Sequence, residues 1–231
     1  MSLNKITAIV VLTTAASSAT AGSFDGPYAQ VGAGFAYLGS NINTSQNNSD
    51  GTYTENLKGG ESGVMGNVAL GYSYELPQSF NIATNVFYNF GSQNSGYYNY
   101  TQVNYSSYAY QSSLKNIWGI SIEPGFNFSD KSLGFLKLGW ATATTSVTAS
   151  ASGPSYGGTI IPGTQSGTSN GFLYGLGFKQ LLTENIFIGV EAYQVAFSTV
   201  TQSSSSADFG KATISQKPNL TYGGINLGYK F

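Results

Sequence analysis

Apolar residues alternate with small or polar residues along most of the chain, which is the pattern of β-strands whose two faces meet different surroundings. The run GGINLGYKF at 223–231 shows it plainly, with an apolar side chain at every second position from Ile225 to Phe231. The last residues of a soluble domain are more often polar and frayed. The pattern therefore raises the question of what the apolar face of this strand contacts.

Eight alternating segments are predicted after the N-terminal region, and we interpret each as a strand. They are Tyr28–Leu38, Val64–Leu76, Phe80–Phe90, Leu114–Phe128, Leu133–Thr144, Phe172–Leu182, Ile186–Phe197 and a last run from Leu220. The third segment has one exception to its alternation, Phe87. The seventh is the least regular, because Phe187 and Tyr193 fall on the face opposite to Ile188 and Val190.

The connections between these segments alternate between short turns and long polar stretches. The short ones are Pro77–Ser79, Ser129–Ser132 and Thr183–Asn185, and the long ones are about 39–63, 91–113, 145–171 and 198–218. Such alternation predicts up-and-down hairpins with every long loop at one end, as in barrels with short periplasmic turns and long outer loops. The predicted fold class is all-β, an eight-stranded antiparallel up-and-down transmembrane β-barrel in one domain.

The less apolar face of the strands distinguishes a membrane barrel from a soluble one. A soluble eight-stranded barrel, such as a lipocalin-type carrier, would turn its apolar face inward and carry Lys, Glu and Asp outside. Here charged residues make up only 8% of the chain, and the second face is mostly Gly, Ala, Ser and Asn. Small side chains suit the cramped interior of eight strands, and aromatics near both strand ends match interfacial girdles. We therefore expect the bulky apolar residues to face lipid; an aromatic-rich soluble core is the alternative.

Residues 1–21 have the three parts of an export signal. Lys5 supplies the positive charge, Ile6–Ala16 forms a short apolar run, and Ala19–Ala21 matches the small-x-small cleavage pattern. The apolar run is too short for a membrane-spanning helix, which needs about 20 residues; a buried N-terminal helix is the alternative interpretation. We expect cleavage after Ala21, with 22–231 forming the barrel domain.

Six ionisable residues fall on the inward face of the predicted strands, in the half nearer the short turns. They are Glu75, Glu123, Lys137, Lys179, Glu191 and Lys230. The two signs balance, and an unpaired ion inside a narrow barrel is very costly. We predict one interdigitated network that plugs the lumen, with an ion path as the alternative interpretation.

The second long loop is rich in tyrosine, mixed with Ser, Asn and Gly. Its tyrosines are Tyr97, Tyr98, Tyr100, Tyr105, Tyr108 and Tyr110. This mixture is typical of antibody-like binding surfaces and indicates a surface for a host molecule, a glycan or a neighbouring protein. The alternative is a strand hairpin that continues above the membrane, with its tyrosines packed on one another or on lipopolysaccharide. The other long loops are rich in Ser, Thr, Gly and Asn, and we expect them to be mobile and solvated.

Composition excludes several function classes. The chain has no His and no Cys, so it lacks serine-histidine and cysteine-histidine nucleophiles, thiolate sites and the commonest metal ligand. Its net charge is -1 and its basic residues form no patch, which argues against nucleic-acid binding. We expect no enzymatic activity, no cofactor and no metal site.

The chain resembles the eight-stranded outer-membrane β-barrel superfamily, which includes opacity-type surface proteins and the transmembrane domain of outer membrane protein A. The resemblance rests on the signal ending at Ala21, the opening GPYAQVGAGFAY (26–37), the strand GNVALGYSYEL (66–76) and the closing GGINLGYKF. It implies export to the periplasm, a location in the bacterial outer membrane, and contact with outer-membrane lipid and lipopolysaccharide. It also implies that the closing strand is a recognition signal for the barrel assembly machinery, through Ile225, Leu227, Tyr229 and Phe231.

Members of this superfamily act in adhesion, membrane integrity and interaction with hosts, and some show small conductance. The function expected for this chain is therefore a structural and surface-interaction barrel with long extracellular loops and a lumen plugged by charged side chains. The alternative is a narrow porin-like passive channel for small solutes.

Overall fold

The computed structural model describes most of the chain as antiparallel β-structure. It describes residues 24–48, 51–102, 106–153, 158–206 and 210–231. Its strands are β1 (Gly26–Asn48), β2 (Gly51–Glu75), β3 (Phe80–Phe90), β4 (Gln93–Gln102), β5 (Ser106–Ser129), β6 (Ser132–Gly153), β7 (Gly158–Leu181), β8 (Ile186–Phe197), β9 (Val200–Ser206) and β10 (Gly210–Lys230). No helix within the described ranges is long and apolar enough to cross a membrane. The predicted signal at 1–21 lies outside these ranges.

The strands form a closed antiparallel sheet. The hydrogen-bonded order is β1-β2-β3-β5-β6-β7-β8-β10, and β10 pairs back onto β1. β4 continues the wall above β3 by pairing with β5, and β9 continues it above β8 by pairing with β10. The break after β3 coincides with Gly91, whose φ of 118° lies in the left-handed region that favours glycine. With each interrupted pair counted as one wall strand, the predicted eight-stranded up-and-down barrel is confirmed.

The polar segments expected to be long loops are mostly strand where the structure describes them, so the prediction that they are loops was wrong. β1 pairs with β2 as far as Asn48 and Gly51, and β6 pairs with β7 as far as Gly153 and Gly158. Hydroxyl side chains also bond across these extensions, as between Thr148 and Thr164 at 3.1 Å. Cross-strand Thr and Ser pairs stabilise antiparallel strands, so a Ser- and Thr-rich composition does not prevent regular pairing here.

Bulky apolar side chains cover the outside of the barrel, as the alternation predicts. Leu176 is 61% exposed and Val86 is 56% exposed, although both lie in the middle of long strands. Aromatic side chains dominate the two ends of this outer face. They are Phe35, Tyr37, Tyr88, Phe90, Trp118, Trp140, Phe172 and Tyr174 toward the extended hairpins, and Tyr72, Tyr74, Phe80, Phe126, Phe128, Tyr229 and Phe231 toward the short turns. This is the surface of a lipid-embedded barrel with two aromatic girdles.

The barrel interior contains an apolar layer that the sequence pattern did not predict. Its members are at most 1% exposed and belong to one cluster of buried residues; they are Leu38, Met65, Leu114, Ile117, Leu173, Val195, Phe197 and Leu220. One cause of the missed prediction is a β-bulge, because the β5–β6 register shifts between Lys115 and Trp118. The bulge turns both Leu114 and Ile117 inward although they are three residues apart, which strict alternation forbids.

The apolar layer should contribute strongly to stability. We expect Leu173→Ala to lower the free energy of unfolding by about 2–5 kcal/mol, since it leaves a cavity in a closed interior. The matched change Leu176→Ala, on the same strand but facing outward, should cost clearly less, because lipid fills the space that the side chain leaves. Urea unfolding of the barrel refolded in lipid vesicles measures both values. Equal costs at the two positions would contradict the existence of a packed inner layer.

Candidate functional site

Four of the six predicted inward charges form a continuous chain across the lumen. Lys137 Nζ lies 2.7 Å from a Glu191 carboxylate oxygen and 3.4 Å from one of Glu123, and Lys179 Nζ lies 2.8 Å from the other Glu123 oxygen. Alternation along β5, β6, β7 and β8 turns these side chains inward, and all are at most 5% exposed. The order Glu191–Lys137–Glu123–Lys179, called the charge chain below, places every charge next to one of opposite sign.

Neutral side chains complete the coordination of the two carboxylates. Asn85 Nδ2 donates to Glu123 at 2.6 Å, and the Tyr28 hydroxyl donates to Glu123 at 3.4 Å. Asn67 Nδ2 donates to Glu191 at 3.0 Å. Buried carboxylates are tolerated only when their lone pairs are satisfied in this way. Sequence reasoning missed these three residues, although the recurrence of Asn on the inward face of the third segment was a signal for Asn85.

Aromatic rings surround the two lysines of the charge chain. Lys137 Nζ lies 5.6 Å from the centre of the Phe87 ring and 5.4 Å from that of Tyr193. Lys179 Nζ lies 4.5 Å from the centre of the Tyr28 ring and 5.7 Å from that of Phe187. These distances suit cation–π contacts. The aromatics that break the alternation of the third and seventh segments are therefore inward residues that pack on the buried ammonium groups.

Glycines make room for these inward rings. A Cβ atom on Gly177 would overlap the Phe135 ring, and one on Gly228 would overlap the Phe187 ring. Phe135 also contacts the charge chain, with its ring centre 4.7 Å from Lys179 Nζ. Several of the glycines on the inner face are thus the counterparts of large inward aromatics on the next strand.

Glu75 and Lys230 are the other two residues of the predicted network, and their membership of it stays a prediction. Both are half-buried at the short-turn end, where Glu75 is the last residue of β2 and Lys230 the last of β10. The ion pairs of the charge chain join the other four residues. A period of two assigns a residue to a face, but its height in the barrel depends on the register between strands.

Layers of side chains close the lumen above the charge chain. Asn89 Nδ2 donates to the Tyr193 hydroxyl at 2.8 Å, and the Tyr193 and Tyr222 ring centres are 4.8 Å apart. The apolar layer follows, and above it the Ser112 hydroxyl donates to Gln216 Oε1 at 2.6 Å. Near Lys179, at the short-turn end, a cavity measures only about 10 Å³, close to the smallest volume that holds one water molecule.

Within the described ranges, no group of three or more acidic residues is arranged to hold a metal ion. Each carboxylate of the charge chain is instead bonded to lysine and amide groups. Equal numbers of positive and negative charges are therefore held in mutual contact inside the barrel.

The predicted assembly-signal residues all lie on the outer face of the closing strand. Ile225, Leu227, Tyr229 and Phe231 are 48–60% exposed. The Tyr229 and Phe231 rings meet edge to face at 5.3 Å, and the Phe231 amide donates to the Pro27 carbonyl at 3.0 Å. This strand is hydrogen-bonded on both sides, to β1 and to β8, so it is the seam at which the barrel closes.

The tyrosine-rich segment is a hairpin of β4 and β5. Tyr98 is paired with Tyr110, and Tyr100 with Tyr108, whereas Tyr97 is paired with Gln111. Directly opposed positions, and positions two apart on one strand, share a face. The register therefore brings four of the six predicted tyrosine positions to one face of the hairpin. Tyr105 lies outside the described residues.

A closed antiparallel barrel with an apolar outer face and two aromatic girdles defines an integral outer-membrane β-barrel protein. The family described as outer membrane protein beta-barrel domain matches residues 6–231. The chain belongs to this family, and the protein resides in the bacterial outer membrane.

Several solved structures resemble the chain at low sequence identity. The outer membrane protein OprG from Pseudomonas aeruginosa is 13% identical, with 91% of this chain and 98% of that chain covered and a TM-score of 0.49. The outer membrane protease OmpT from Escherichia coli is 11% identical, with 93% and 99% covered and a TM-score of 0.44. The attachment invasion locus protein Ail of Yersinia pestis, in complex with the heparin analogue sucrose octasulfate, is 13% identical, with 88% and 99% covered and a TM-score of 0.34. Comparison with curated proteins by sequence finds no match.

The charge chain should behave as a unit when one member is removed. We expect Lys137→Met to lower the free energy of unfolding by about 3–5 kcal/mol, because it leaves Glu191 buried without its cation. Adding Glu191→Gln should restore most of that loss, since the remaining Glu123 and Lys179 still form a neutral pair. Urea unfolding in lipid vesicles measures the double-mutant cycle.

The control for this cycle is Lys131→Met, which removes an exposed lysine at a short turn and should change stability by less than about 0.5 kcal/mol. If the double variant were as unstable as Lys137→Met alone, Lys137 and Glu191 would not be energetically coupled, and the charge chain would not behave as a unit.

Proposed function

We propose that this protein is a closed, non-enzymatic outer-membrane barrel with a structural role and an extracellular surface for interaction with other molecules. The observation that carries the proposal is the filled lumen. The charge chain, the Tyr193–Tyr222 pair and the apolar layer succeed one another along the barrel interior. Eight strands enclose just enough space for side chains to fill, and here large side chains fill it.

The alternative function, a narrow passive channel, needs a continuous polar path. Ion paths through membranes are lined by water or by polar groups. The apolar layer interrupts such a path, because Leu38, Leu173 and Leu220 are fully buried against their neighbours. The charge chain adds a second obstacle, since moving an ion past it would break contacts of 2.7 and 2.8 Å. These features favour a plugged barrel over a porin-like one.

Planar-bilayer recordings test closure directly. The refolded protein should give no stable, reproducible conductance steps, whereas a 16-stranded porin in the same membrane should conduct, since barrels of that size leave an aqueous channel. A shift in gel migration on boiling verifies that the tested protein is folded. Reproducible steps of one size from the folded protein would establish the channel alternative instead.

The tyrosine-rich hairpin is the best-supported candidate for the interaction surface. It rises from the wall at the end opposite the short turns, and its register groups Tyr98, Tyr100, Tyr108 and Tyr110 on one face. Tyrosine supplies large contact area at low cost in conformational entropy, and the neighbouring Ser and Asn supply adaptable hydrogen bonds. We propose that this face binds a host molecule or a glycan, which amounts to an adhesive function.

An array of immobilised neutral and sulfated glycans tests the adhesive function. We expect the refolded barrel to bind at least one class, and replacement of the four grouped tyrosines by Ser to weaken that binding by at least about tenfold, since aromatic anchors dominate such interfaces. A matched control replaces Thr201, Ser203, Thr213 and Ser215 of the β9–β10 hairpin by Ala. Unchanged binding in the tyrosine variant, or no binding by the unaltered protein, would refute adhesion through this face.

The remaining parts of the proposal concern processing, assembly and chemistry. Residues 1–21 act as an export signal cleaved after Ala21, and the outward residues of the closing strand, from Ile225 to Phe231, are recognised by the barrel assembly machinery. The mature barrel contacts lipopolysaccharide in the outer leaflet. The absence of His and Cys from the chain and the engagement of Glu123 and Glu191 by lysines support a non-enzymatic role.

A further inference from the structure

A polar groove lies on the outside of the barrel where β2, β1 and β10 run side by side. It has a volume of about 340 Å³. Its lining residues are Tyr37, Gly39, Ser40, Asn41, Lys58, Gly59, Lys217 and Asn219. Among the residues that the structure describes at this groove, two have cationic side chains and none is acidic. It is separate from the charge chain, which lies inside the barrel.

The strand registers place the two lysines on either side of one asparagine. Asn41 of β1 is directly paired with Lys58 of β2 and with Lys217 of β10. All three are exposed, and directly opposed residues share a face of the sheet. The two lysines are thus two strand spacings apart, roughly 10 Å. Their long, flexible side chains are able to converge on a group held over Asn41.

The groove lies directly above the outer aromatic girdle. Phe35 and Tyr37 precede it on β1 and are 73% and 47% exposed. The Tyr37 ring turns toward the groove and covers Gly60 of β2, where a Cβ would overlap its hydroxyl. A tyrosine of this kind marks the boundary between hydrocarbon and headgroups. Lysines a few residues farther along the strands therefore lie at headgroup height.

Small residues form the base of the groove, and the Tyr37 ring lies against Gly39 and Gly60 at one end of it. Gly39 is paired with both Gly60 and Asn219, and Gly59 is paired with Ser40. The Tyr37 ring thus forms an apolar side of the groove beside its polar residues. The combination of this ring, an amide and two ammonium groups is complementary to a phosphate carried by a lipid.

We propose that the groove between Lys58 and Lys217 binds a phosphate group of an outer-leaflet lipid, the phosphorylated glycolipid at the base of lipopolysaccharide. Each ammonium group donates to the phosphate, Asn41 contributes its side-chain amide, and Tyr37 packs beside the acyl or sugar portion. The inference rests on the lipopolysaccharide contact proposed above and turns that contact into a defined site. A membrane lipid is favoured over a soluble anion because the groove opens sideways, next to the lipid-facing wall.

Native mass spectrometry of the refolded barrel in detergent micelles, titrated with bis-phosphorylated lipid A, tests the site. Each lysine near an anionic headgroup contributes roughly a fivefold factor in affinity. We therefore expect Lys58→Gln with Lys217→Gln to weaken binding by about 30-fold. Lipid A stripped of both phosphates should bind the unaltered barrel about as weakly as bis-phosphorylated lipid A binds the double variant. Both substitutions are on exposed side chains, and the gel shift on boiling verifies that the variant folds.

The matched control is Lys115→Gln with Lys131→Gln, which removes two exposed lysines outside the groove. Its binding should fall by less than about twofold, because non-specific attraction to an exposed charge is weak and screened. If the control and the double variant lost the same amount of lipid A affinity, the loss would be due to net charge alone, and the proposed site would be overturned. No binding by the unaltered barrel would overturn both the site and the lipopolysaccharide contact, whereas equal binding by the barrel and the double variant would overturn the site alone.

Competition separates lipid from soluble anions. Inorganic phosphate and heparin should not displace lipid A at matched phosphate or sulfate concentrations. Displacement that depends on Lys58 and Lys217 would assign the groove to free phosphate or to a soluble sulfated glycan and would overturn the lipid assignment.

Discussion

The narrow lumen of an eight-stranded barrel is the constraint on which the rest of this structure depends. Every inward side chain must fit among the others, and every inward charge must find a partner, because water cannot enter freely. The alternating order of the charge chain meets this requirement, and its cost of desolvation is offset by amide donors and aromatic faces. Glycines opposite Phe135 and Phe187 follow from the same need for space. The outer face obeys a different rule, since lipid accepts any bulky apolar side chain.

The different rules for the two faces explain how much of the fold and site the sequence could predict. A period of two is enough to identify strands and to separate the faces, so the bounds of β3 and β8 were predicted correctly. The same period also turned Glu123, Lys137, Lys179 and Glu191 inward. It could not predict the height of each residue along the barrel axis, because that height depends on the register between strands.

Three other features depended on interactions that no local pattern encodes. Asn116 has a φ of 52°, in the left-handed region, and lies in the β5 bulge. The bulge switches which alternate residues of β5 face inward, so that Leu114 lies inside the barrel. The extended hairpins were predicted to be loops because their high Ser and Thr content is typical of solvated segments. In the structure their backbones nevertheless pair as strands. The groove with Lys58 and Lys217 could not be predicted from the sequence for a similar reason. The two residues are brought near each other only because β1 pairs with both β2 and β10.

All nine basic residues of the chain are lysines, and the structure places this one residue type in two opposite environments. Lys137 and Lys179 are enclosed, with carboxylates and aromatic rings in contact with their ammonium groups. Lys58 and Lys217 are exposed above the girdle, in a groove where the structure describes no acidic lining residue. A buried ammonium group requires its partner within the fold, whereas an exposed one at a membrane surface gains most from an anion that the membrane supplies. The internal pairs therefore contribute to stability, whereas Lys58 and Lys217 present two neighbouring charges on the barrel wall to the lipid around it.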